Sequence, residues 1–414
     1  MKKYIIGGYV RDRLMGRVPH DKDYVVTGST ISEMLSLGFQ QVGKNFPVFL
    51  HPITKEEYAL ARTEHKIGAK HGDFQFTFTP DISLREDAQR RDFTCNAIAY
   101  DEESKEIIDY FNGQSDIENR IIRVIDADNF KLDPLRILRA CRFAAELNFT
   151  IEPHTLDILS SMTAAGMLRD LSPERVWQET ARALAAGVDS RIFFNYLSEI
   201  GGLNYWFAEI AALQSSPEQL KYHASGNTFT HTMCALNRVC DDNIAVKFAV
   251  LTHDFGKGTT LKENLPSHHG HDIRGISLIN NFCQRLNIPN KYRNFASLFC
   301  REHMRVAKFN EMRLAKKYDL VREISANFKR VAEMEQFLRC FYADYFGEEQ
   351  LNEYSNPQYF AAVCGGIRQI FSIMQGISLK DLSESQQQRI TNAQGLQSGK
   401  LYREYMLEYL HKKL

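Results

Sequence analysis

The chain carries no excess of charge. Its 414 residues hold 51 Lys and Arg against 51 Asp and Glu. That balance excludes a wholesale electrostatic grip on nucleic acid and leaves any such contact to local patches. It has no apolar run long enough to span a bilayer, so no membrane association is expected. Met1-Lys2-Lys3-Tyr4 leads straight into a strand pattern rather than a signal peptide. The eight cysteines (95, 141, 234, 240, 283, 300, 340, 364) include no CxxC pair, and most lie in apolar helical context. A reducing, cytoplasmic setting is therefore expected. There is no internal repeat and no low-complexity segment. A chain of this length that is 44% hydrophobic is enough for about two to four domains.

What is present begins at the N-terminus. Tyr4-Ile5-Ile6 reads as a buried strand that Gly7-Gly8 ends, and Val10 to Met15 has helical spacing before Gly16 and Pro19. Asp21 to Val26 reads as a second strand. On a strand, residues i and i+2 share a face, so Asp21 and Asp23 can converge on one metal cluster. Carboxylates suit Mg²⁺, a hard ion, and two ions about 4 Å apart can align a 3′-hydroxyl and neutralise a leaving pyrophosphate. Glycines let backbone N–H groups approach phosphate closely, and Arg11 can add a cationic fork.

The combination Gly7-Gly8, Val10-Arg11-Asp12 and Asp21-Lys22-Asp23 resembles the signature of the class II tRNA nucleotidyltransferases, the CCA-adding enzymes, and of their relatives the bacterial poly(A) polymerases. The resemblance implies a polymerase-β-like nucleotidyltransferase head. Gly8 and Arg11 would then bind nucleotide, and Asp21 and Asp23 would be the catalytic, Mg²⁺-binding pair. Arg90-Arg91-Asp92 matches the family's RRD motif, which implies ribose and phosphate contacts for Arg91, with Asp92 and Asn96 orienting it or touching the sugar. Glu57 aligns with a third carboxylate of the superfamily; an exposed strand charge is the other reading.

Asp133-Pro134-Leu135-Arg136 opens a helix on which Arg136, Arg139 and Arg142 recur every three residues. A carboxylate accepts and a guanidinium donates, so an Asp/Arg pair complements the amine-plus-acceptor edge shared by cytosine and adenine. Guanine and uracil would leave buried polar groups unpaired, costing about 1–3 kcal/mol apiece. The segment resembles the family's EDxxR template motif, with Leu132 where the family has Glu. The resemblance assigns Asp133, Arg136, Arg139 and Arg142 to the nucleotide. Glu64 to Pro80, with Gly68 and Gly72, reads as a mobile loop. Asp109 to Gly113 looks like the family's turn motif. Ser172-Pro173-Glu174-Arg175 looks like the N-cap of a structural helix.

A second constellation follows: His231, His253-Asp254, the cluster His268-His269-Gly270-His271-Asp272, His303 and Asp344. It resembles the HD phosphohydrolase superfamily. That resemblance makes His231, His253, Asp254 and Asp344 ligands of a divalent metal, with His269 and His303 as a second metal position or a substrate contact. Imidazole with carboxylate favours a transition metal, nickel among the candidates, over Mg²⁺. Such a centre activates water against a phosphate ester.

The expected fold is α+β: a strand-containing head at 1–138, an all-α neck and body at 139–215, a helical HD domain at 216–345 and a helical tail at 346–414. Ser215-Ser216-Pro217-Glu218 is the expected linker. Residues 301–340 hold ten Lys/Arg against six Asp/Glu, and Arg120, Arg123, Lys131, Arg136, Arg139 and Arg142 form a denser basic patch for an RNA arm. The expected reaction adds C, C and A to a tRNA 3′ end from CTP and ATP, by a monomer or homodimer. The alternatives are a poly(A) polymerase, a partial CC- or A-adding enzyme, or an HD phosphohydrolase with a nucleotide-sensing head.

Overall fold

The computed structural model describes residues 1–19, 21–42, 48–66, 74–218, 226–326, 328, 331–347, 355–393 and 396–414. The chain forms two compact units, Met1–Trp206 and Phe207–Leu414. The stretch Ser215–Glu218 lies within the second of these, with the Ser216 and Glu218 side chains buried.

Strands occupy the first part of the chain: β1 Lys2–Ile6, β2 Asp23–Thr27, β3 Gln40–Val42, β4 Val48–Leu50, β5 Glu57–Leu60, β6 Thr63–Lys66, β7 Phe74–Thr77, β8 Ala99–Tyr100, β9 Ile107–Ile108, β10 Ile121–Ile122 and β11 Thr150–Ile151. Seven of them make one sheet in the order β3-β4-β5-β2-β1-β8-β9. Alternation decides which side chains meet the core. Tyr4 and Ile6 of β1 and Val25 of β2 pack with Ile82, Leu84 and Ala88 of the segment that follows β7. Helices dominate beyond residue 130, so the architecture is α+β, as the patterns predict.

The sheet register places the first motif. β1 and β2 run antiparallel with Ile5 opposite Tyr24, so the C-terminal end of β1 lies beside the N-terminal end of β2. Gly7, at φ 90°, turns the chain there into the helix Gly8–Leu14. β2 pairs in parallel with β5 on its other side, Asp23 opposite Glu57.

Two expectations need correction. β2 starts at Asp23, not Asp21, because β1 has already turned away at Gly7 and offers Asp21 and Lys22 no ladder partner. The segment Glu64–Pro80 is not a plain loop. Its described ends form the antiparallel hairpin β6–β7, Thr63 opposite Thr77. Gly68 and Gly72 lie outside the described residues.

The helix Leu135–Leu147 buries ten of its residues. Asp133 Oδ1 accepts the Leu135 N–H at 2.9 Å at its start. Ser172 caps the helix Pro173–Ala185 by accepting from the Arg175 N–H. In the second unit the helices Thr228–Asn237, Ile244–Thr252, His271–Arg285, Asn290–Ala307 and Val331–Tyr345 carry or adjoin the histidine and aspartate cluster. Three further helices, Pro357–Gly376, Glu384–Asn392 and Leu396–Lys413, complete the chain. Among the described residues no helix is long and apolar enough to cross a membrane.

A candidate nucleotidyltransferase site and a candidate HD metal centre

The first unit holds a cavity of about 530 Å³ in which eight arginines face five carboxylates. The imbalance is what a polyanion such as a triphosphate requires. Gly8, Arg11, Asp23, Arg91, Asp133, Arg136, Arg139 and Arg142 all line it. Residues far apart in sequence are therefore brought to one cavity. Asp21 lines an adjoining cavity of about 560 Å³ with Asp23 and Glu57. Carboxylate oxygens suit Mg²⁺, and all three side chains line that one cavity. Burial raises the Asp23 pKa, the nearby Arg91 opposes that, and Glu57 and Asp21 add to the rise. A bound cation would relieve this crowding of negative charge.

The cavity floor is one hydrogen-bonded chain. Arg11 Nη1 donates to Asn96 Oδ1 at 2.8 Å, and Asn96 Nδ2 donates to Asp92 Oδ1 at 3.1 Å. Arg139 grips Asp92 Oδ2 through Nε at 2.8 Å and Nη2 at 2.5 Å. Asp92 therefore orients Arg139 rather than Arg91. The Arg91 Nε is buried without a partner among the described residues, while its Nη2 reaches Asp87 at 3.3 Å. A guanidinium with an orphaned N–H at a polyanion cavity fits a phosphate or ribose oxygen. The Gly7 N–H is engaged by the Ile98 carbonyl at 3.3 Å, so of the two glycines it is Gly8, in the first turn of its helix, whose N–H lacks an intrahelical acceptor.

Asp133 and Arg136 both line the cavity, and the Arg136 N–H donates to the Asp133 carbonyl at 3.0 Å. Arg136 donates to the Asn129 carbonyl and side chain, both at 2.9 Å, and to the Arg90 carbonyl at 2.8 Å. Asp133 Oδ2 accepts from Arg175 at 3.0 Å. Asn129 and the Arg90 carbonyl thus hold the Arg136 guanidinium where Leu132 offers no carboxylate. Arg142 is nearly fully buried. It is fixed by Glu179 at 2.6 Å and by Glu146, with its guanidinium 3.8 Å from the Phe143 ring centre. Four more lining residues, Glu64, Glu146, Arg175 and Arg182, were not assigned to the site from sequence. Arg175 sits in a motif that reads as a helix start, and only the packing turns it toward Asp133.

The Asp92–Arg139 pair has a pH signature. Burial pushes the Asp92 carboxyl up, but Arg139 and Asn96 outweigh it and hold it at about 2, below the ordinary 3.8. A depressed carboxyl stabilises the fold fully above about pH 4 and loses that contribution as pH falls toward 2, an amount of about 2 kcal/mol. Urea unfolding across that range should steepen accordingly. Asp92→Asn should flatten the acid limb while lowering stability at neutral pH by about 3–5 kcal/mol, because Arg139 is left unpaired. An unchanged acid limb in the variant would show that Asp92 is not the titrating group.

The second unit gathers two triads. The ligand atoms of His231, His253 and Asp344 lie within 4.8 Å of one another, as do those of Asp254, His271 and His303. His231 Nε2 and His253 Nε2 each stand 3.3 Å from Asp344 Oδ1. The sequence grouped Asp254 with the first triad, and its Oδ2 is indeed 3.2 Å from His253 Nε2. Its Oδ1, however, faces His271 and His303. His271 was not singled out from sequence as a candidate ligand. His269 is exposed, and it is His271 that turns inward, because Gly256 leaves no room between it and the His271 backbone. A Cβ on Gly256 would fall 1.9 Å from the His271 carbonyl oxygen.

Several observations fit a metal here. The rings of His253, His271 and His303 each place Nδ1 2.7 Å from a backbone carbonyl, those of Val250, His268 and Cys300. A carbonyl only accepts, so in each neutral ring Nδ1 carries the proton and Nε2 presents a lone pair. Both oxygens of Asp254 and the His253 Nε2 are buried with no directed hydrogen-bond partner among the described residues. Lys257 lies 2.8 Å from Asp254 Oδ2 as an ion pair, and directs its hydrogen bond to Glu218 at 2.8 Å. Burial lowers the His253 pKa, but the Asp254 and Asp344 carboxylates overcome it and hold the ring at about 10. A cation in the cluster would therefore displace a proton.

The Poly A polymerase head domain family matches residues 3–123. The Multifunctional CCA protein of Acinetobacter baumannii (strain AYE) is 40% identical over 415 residues, covering 99% of this chain and 97% of that protein. The Multifunctional CCA protein of Pasteurella multocida (strain Pm70) is 45% identical over 323 residues, covering 76% of each. Among solved structures, a CCA-adding enzyme in complex with CTP aligns with a TM-score of 0.61 at 18% identity, covering 99% of this chain and 87% of that one. The Bacillus stearothermophilus CCA-adding enzyme in complex with CTP aligns with a TM-score of 0.60 at 20% identity, covering 99% and 94%. At those identities the structures speak for the fold. Identity along nearly the whole length, on a chain that carries both the nucleotidyltransferase motifs and the histidine cluster, places this protein in the family of multifunctional CCA proteins.

Proposed function

We propose that the protein adds C, C and A to the 3′ ends of tRNA from CTP and ATP without a nucleic-acid template, and that its second unit hydrolyses phosphate esters. The observation that carries the first part is the Arg11–Asn96–Asp92–Arg139 chain beneath a cationic cavity that adjoins the Asp21, Asp23 and Glu57 carboxylates.

In this reading Asp21 and Asp23 hold Mg²⁺, which when bound supplies Lewis-acid stabilisation of the triphosphate and of the departing pyrophosphate. Gly8, Arg11 and Arg91 take the phosphates and ribose. One carboxylate of the Asp21/Asp23 pair accepts the proton of the tRNA 3′-hydroxyl as its oxygen attacks the α-phosphorus. Asp133 and Arg136 read the base edge, and Arg139 and Arg142 shape the pocket against it. A carboxylate offers about four acceptor positions, so Asp133 can accept from a base while it holds Leu135 and Arg175.

Replacing Asp133 by Ala should narrow the preference for CTP over UTP by about 5- to 150-fold, the equivalent of one unpaired polar group at 1–3 kcal/mol. Single-turnover incorporation with each nucleotide reads this. Equal loss for CTP and UTP would remove Asp133 from base selection.

The decisive experiment is the intact mass of a tRNA transcript lacking CCA, after incubation with protein, Mg²⁺ and all four nucleoside triphosphates. One product heavier by C, C and A establishes the reading. A ladder of A would instead favour the poly(A) polymerase suggested by the family to which the head matches. For the second unit, His231, His253 and Asp344, with Asp254, would hold a transition metal, nickel being one candidate. The substrates would be 2′,3′-cyclic phosphates, 2′-nucleotides or other phosphomonoesters.

A further inference from the structure

Away from both sites, the second unit has a cavity of about 480 Å³ lined by Asn280, Arg293, Asn294, Ser297, Leu298 and Arg301. It lies where the helices His271–Arg285 and Asn290–Ala307 pack against each other. Among the described residues no carboxylate lines it. Two guanidiniums, two carboxamides and a hydroxyl make a wall of hydrogen-bond donors with net positive charge. Such a wall is complementary to an anion.

These donors are held in place but not used up. Arg301 donates through Nε to Oε1 of the fully buried Glu302 at 2.6 Å, which anchors one edge of the guanidinium. Among the described residues its Nη1 and Nη2 make no hydrogen bond. Arg293 reaches only Asn294 Oδ1 of its own helix, through Nε and Nη2 at 3.4 Å each, longer than an ordinary N–H···O bond. Ser297 is the sharper observation. Its Oγ is buried with no hydrogen-bond partner among the described residues. A helical serine often returns its hydroxyl to a carbonyl one turn back, as Ser161, Ser277 and Ser325 do to Ile158, Arg274 and Arg322. Ser297 does not, and a buried polar atom left unpaired costs free energy. A ligand oxygen in the cavity would pair it.

Arg293, Ser297 and Arg301 recur every four residues, so they share one face of the helix, with the serine one turn from each arginine. Two turns separate the arginine Cα atoms by about 12 Å along the axis, a span that suits a ligand longer than a lone phosphate ion. The guanidinium fork matches phosphate oxygens. Asn280 and Asn294 offer both donors and acceptors, which suit ribose hydroxyls and base edges. We propose that this cavity binds the phosphate of a ribonucleotide unit, supplied either by an RNA strand or by a free nucleotide. The RNA source rests on the tRNA reading of the protein; the free nucleotide does not.

The test compares the full chain with the double variant Arg293→Ala/Arg301→Ala. Affinity for a tRNA transcript lacking CCA is read by fluorescence anisotropy between about 50 and 300 mM KCl. EDTA is present and nucleoside triphosphate is not, so binding is read whether or not either unit catalyses. Each phosphate contact contributes about 0.7–0.9 to the slope of log affinity against log salt, so the variant should flatten that slope by about 1.4–1.8 and bind at least about 10-fold more weakly at 0.1 M salt. Calorimetric titration with CMP is the second arm, and a free-nucleotide site would vanish from it in the variant. A flatter slope with unchanged CMP binding assigns the cavity to an RNA strand. A lost CMP site with an unchanged slope assigns it to free nucleotide, and both changes together assign it to a nucleotide unit in either form. No change in either arm overturns the proposal. If the unaltered chain does not bind the transcript, the tRNA reading falls and the CMP arm alone decides the cavity. If circular dichroism shows that loss of the Glu302 partner unfolds the double variant, Arg293→Glu replaces it, because it leaves that pair intact. It should flatten the slope by at least about 0.7 or remove the CMP site, and a variant that does neither overturns the proposal.

Discussion

Asp21→Ala should lower the rate of CCA addition by at least about 10³-fold and leave phosphate-ester hydrolysis unchanged. The size follows from the chemistry. A carboxylate that holds an ion against a triphosphate supplies several kcal/mol of charge stabilisation in the transition state, and about 4 kcal/mol is a factor of 10³. The side chain is exposed and lies before β2 rather than in its ladder, so its removal costs the fold little. Loss of rate with an unchanged melting temperature and unchanged tRNA affinity would locate the effect in catalysis. Asp23→Ala should match it, whereas Glu57→Ala separates a third ligand from a neighbouring strand charge. Transfer that survives Asp21→Ala within tenfold would remove this residue from the metal site.

The mirror experiment is His253→Ala, which should abolish hydrolysis of a 2′,3′-cyclic nucleotide by at least about 10²-fold while nucleotide transfer stays within twofold. His253 stands 3.2–3.3 Å from both Asp254 and Asp344. Its ring is fixed by the Val250 carbonyl, and losing an oriented ligand costs 10- to 100-fold or more in metal affinity or activity. The ring is also fully buried between two carboxylates, so the variant leaves uncompensated negative charge and a lower unfolding midpoint is expected for the second unit. Intact transfer shows that the first unit is still folded, and circular dichroism reports on the second. Retained hydrolysis would mean that the activity belongs to another site, and transfer lost in parallel would mean that the two chemistries are not separable by residue.

The α+β order and the motif positions follow from local covalent spacing. Gly7-Gly8 after a strand, Asp21 and Asp23 two apart, and Asp133 three residues ahead of Arg136 are fixed whatever the rest of the chain does. The apolar helix before His253-Asp254 is equally legible, because nine residues from Ile244 to Thr252 leave little doubt about burial. These features suffice for the family resemblance and for both candidate chemistries.

Partner choice was decided by tertiary structure alone. Asp92 belongs to Arg139 rather than to its neighbour Arg91, and the Asp133 carboxylate to Arg175 rather than to the Arg136 guanidinium, because such pairings depend on how the helices Leu135–Leu147 and Pro173–Ala185 are rotated against the head. The same holds for His269 and His271. They differ by two residues, but the close approach of Gly256 to the His271 backbone sets the start of the helix His271–Arg285, and with it which ring reaches His303. Residue type and spacing determine which chemistries this chain can perform. The rotation of each helix about its axis decides which side chains perform them, since a change of one residue swings a side chain through about 100°.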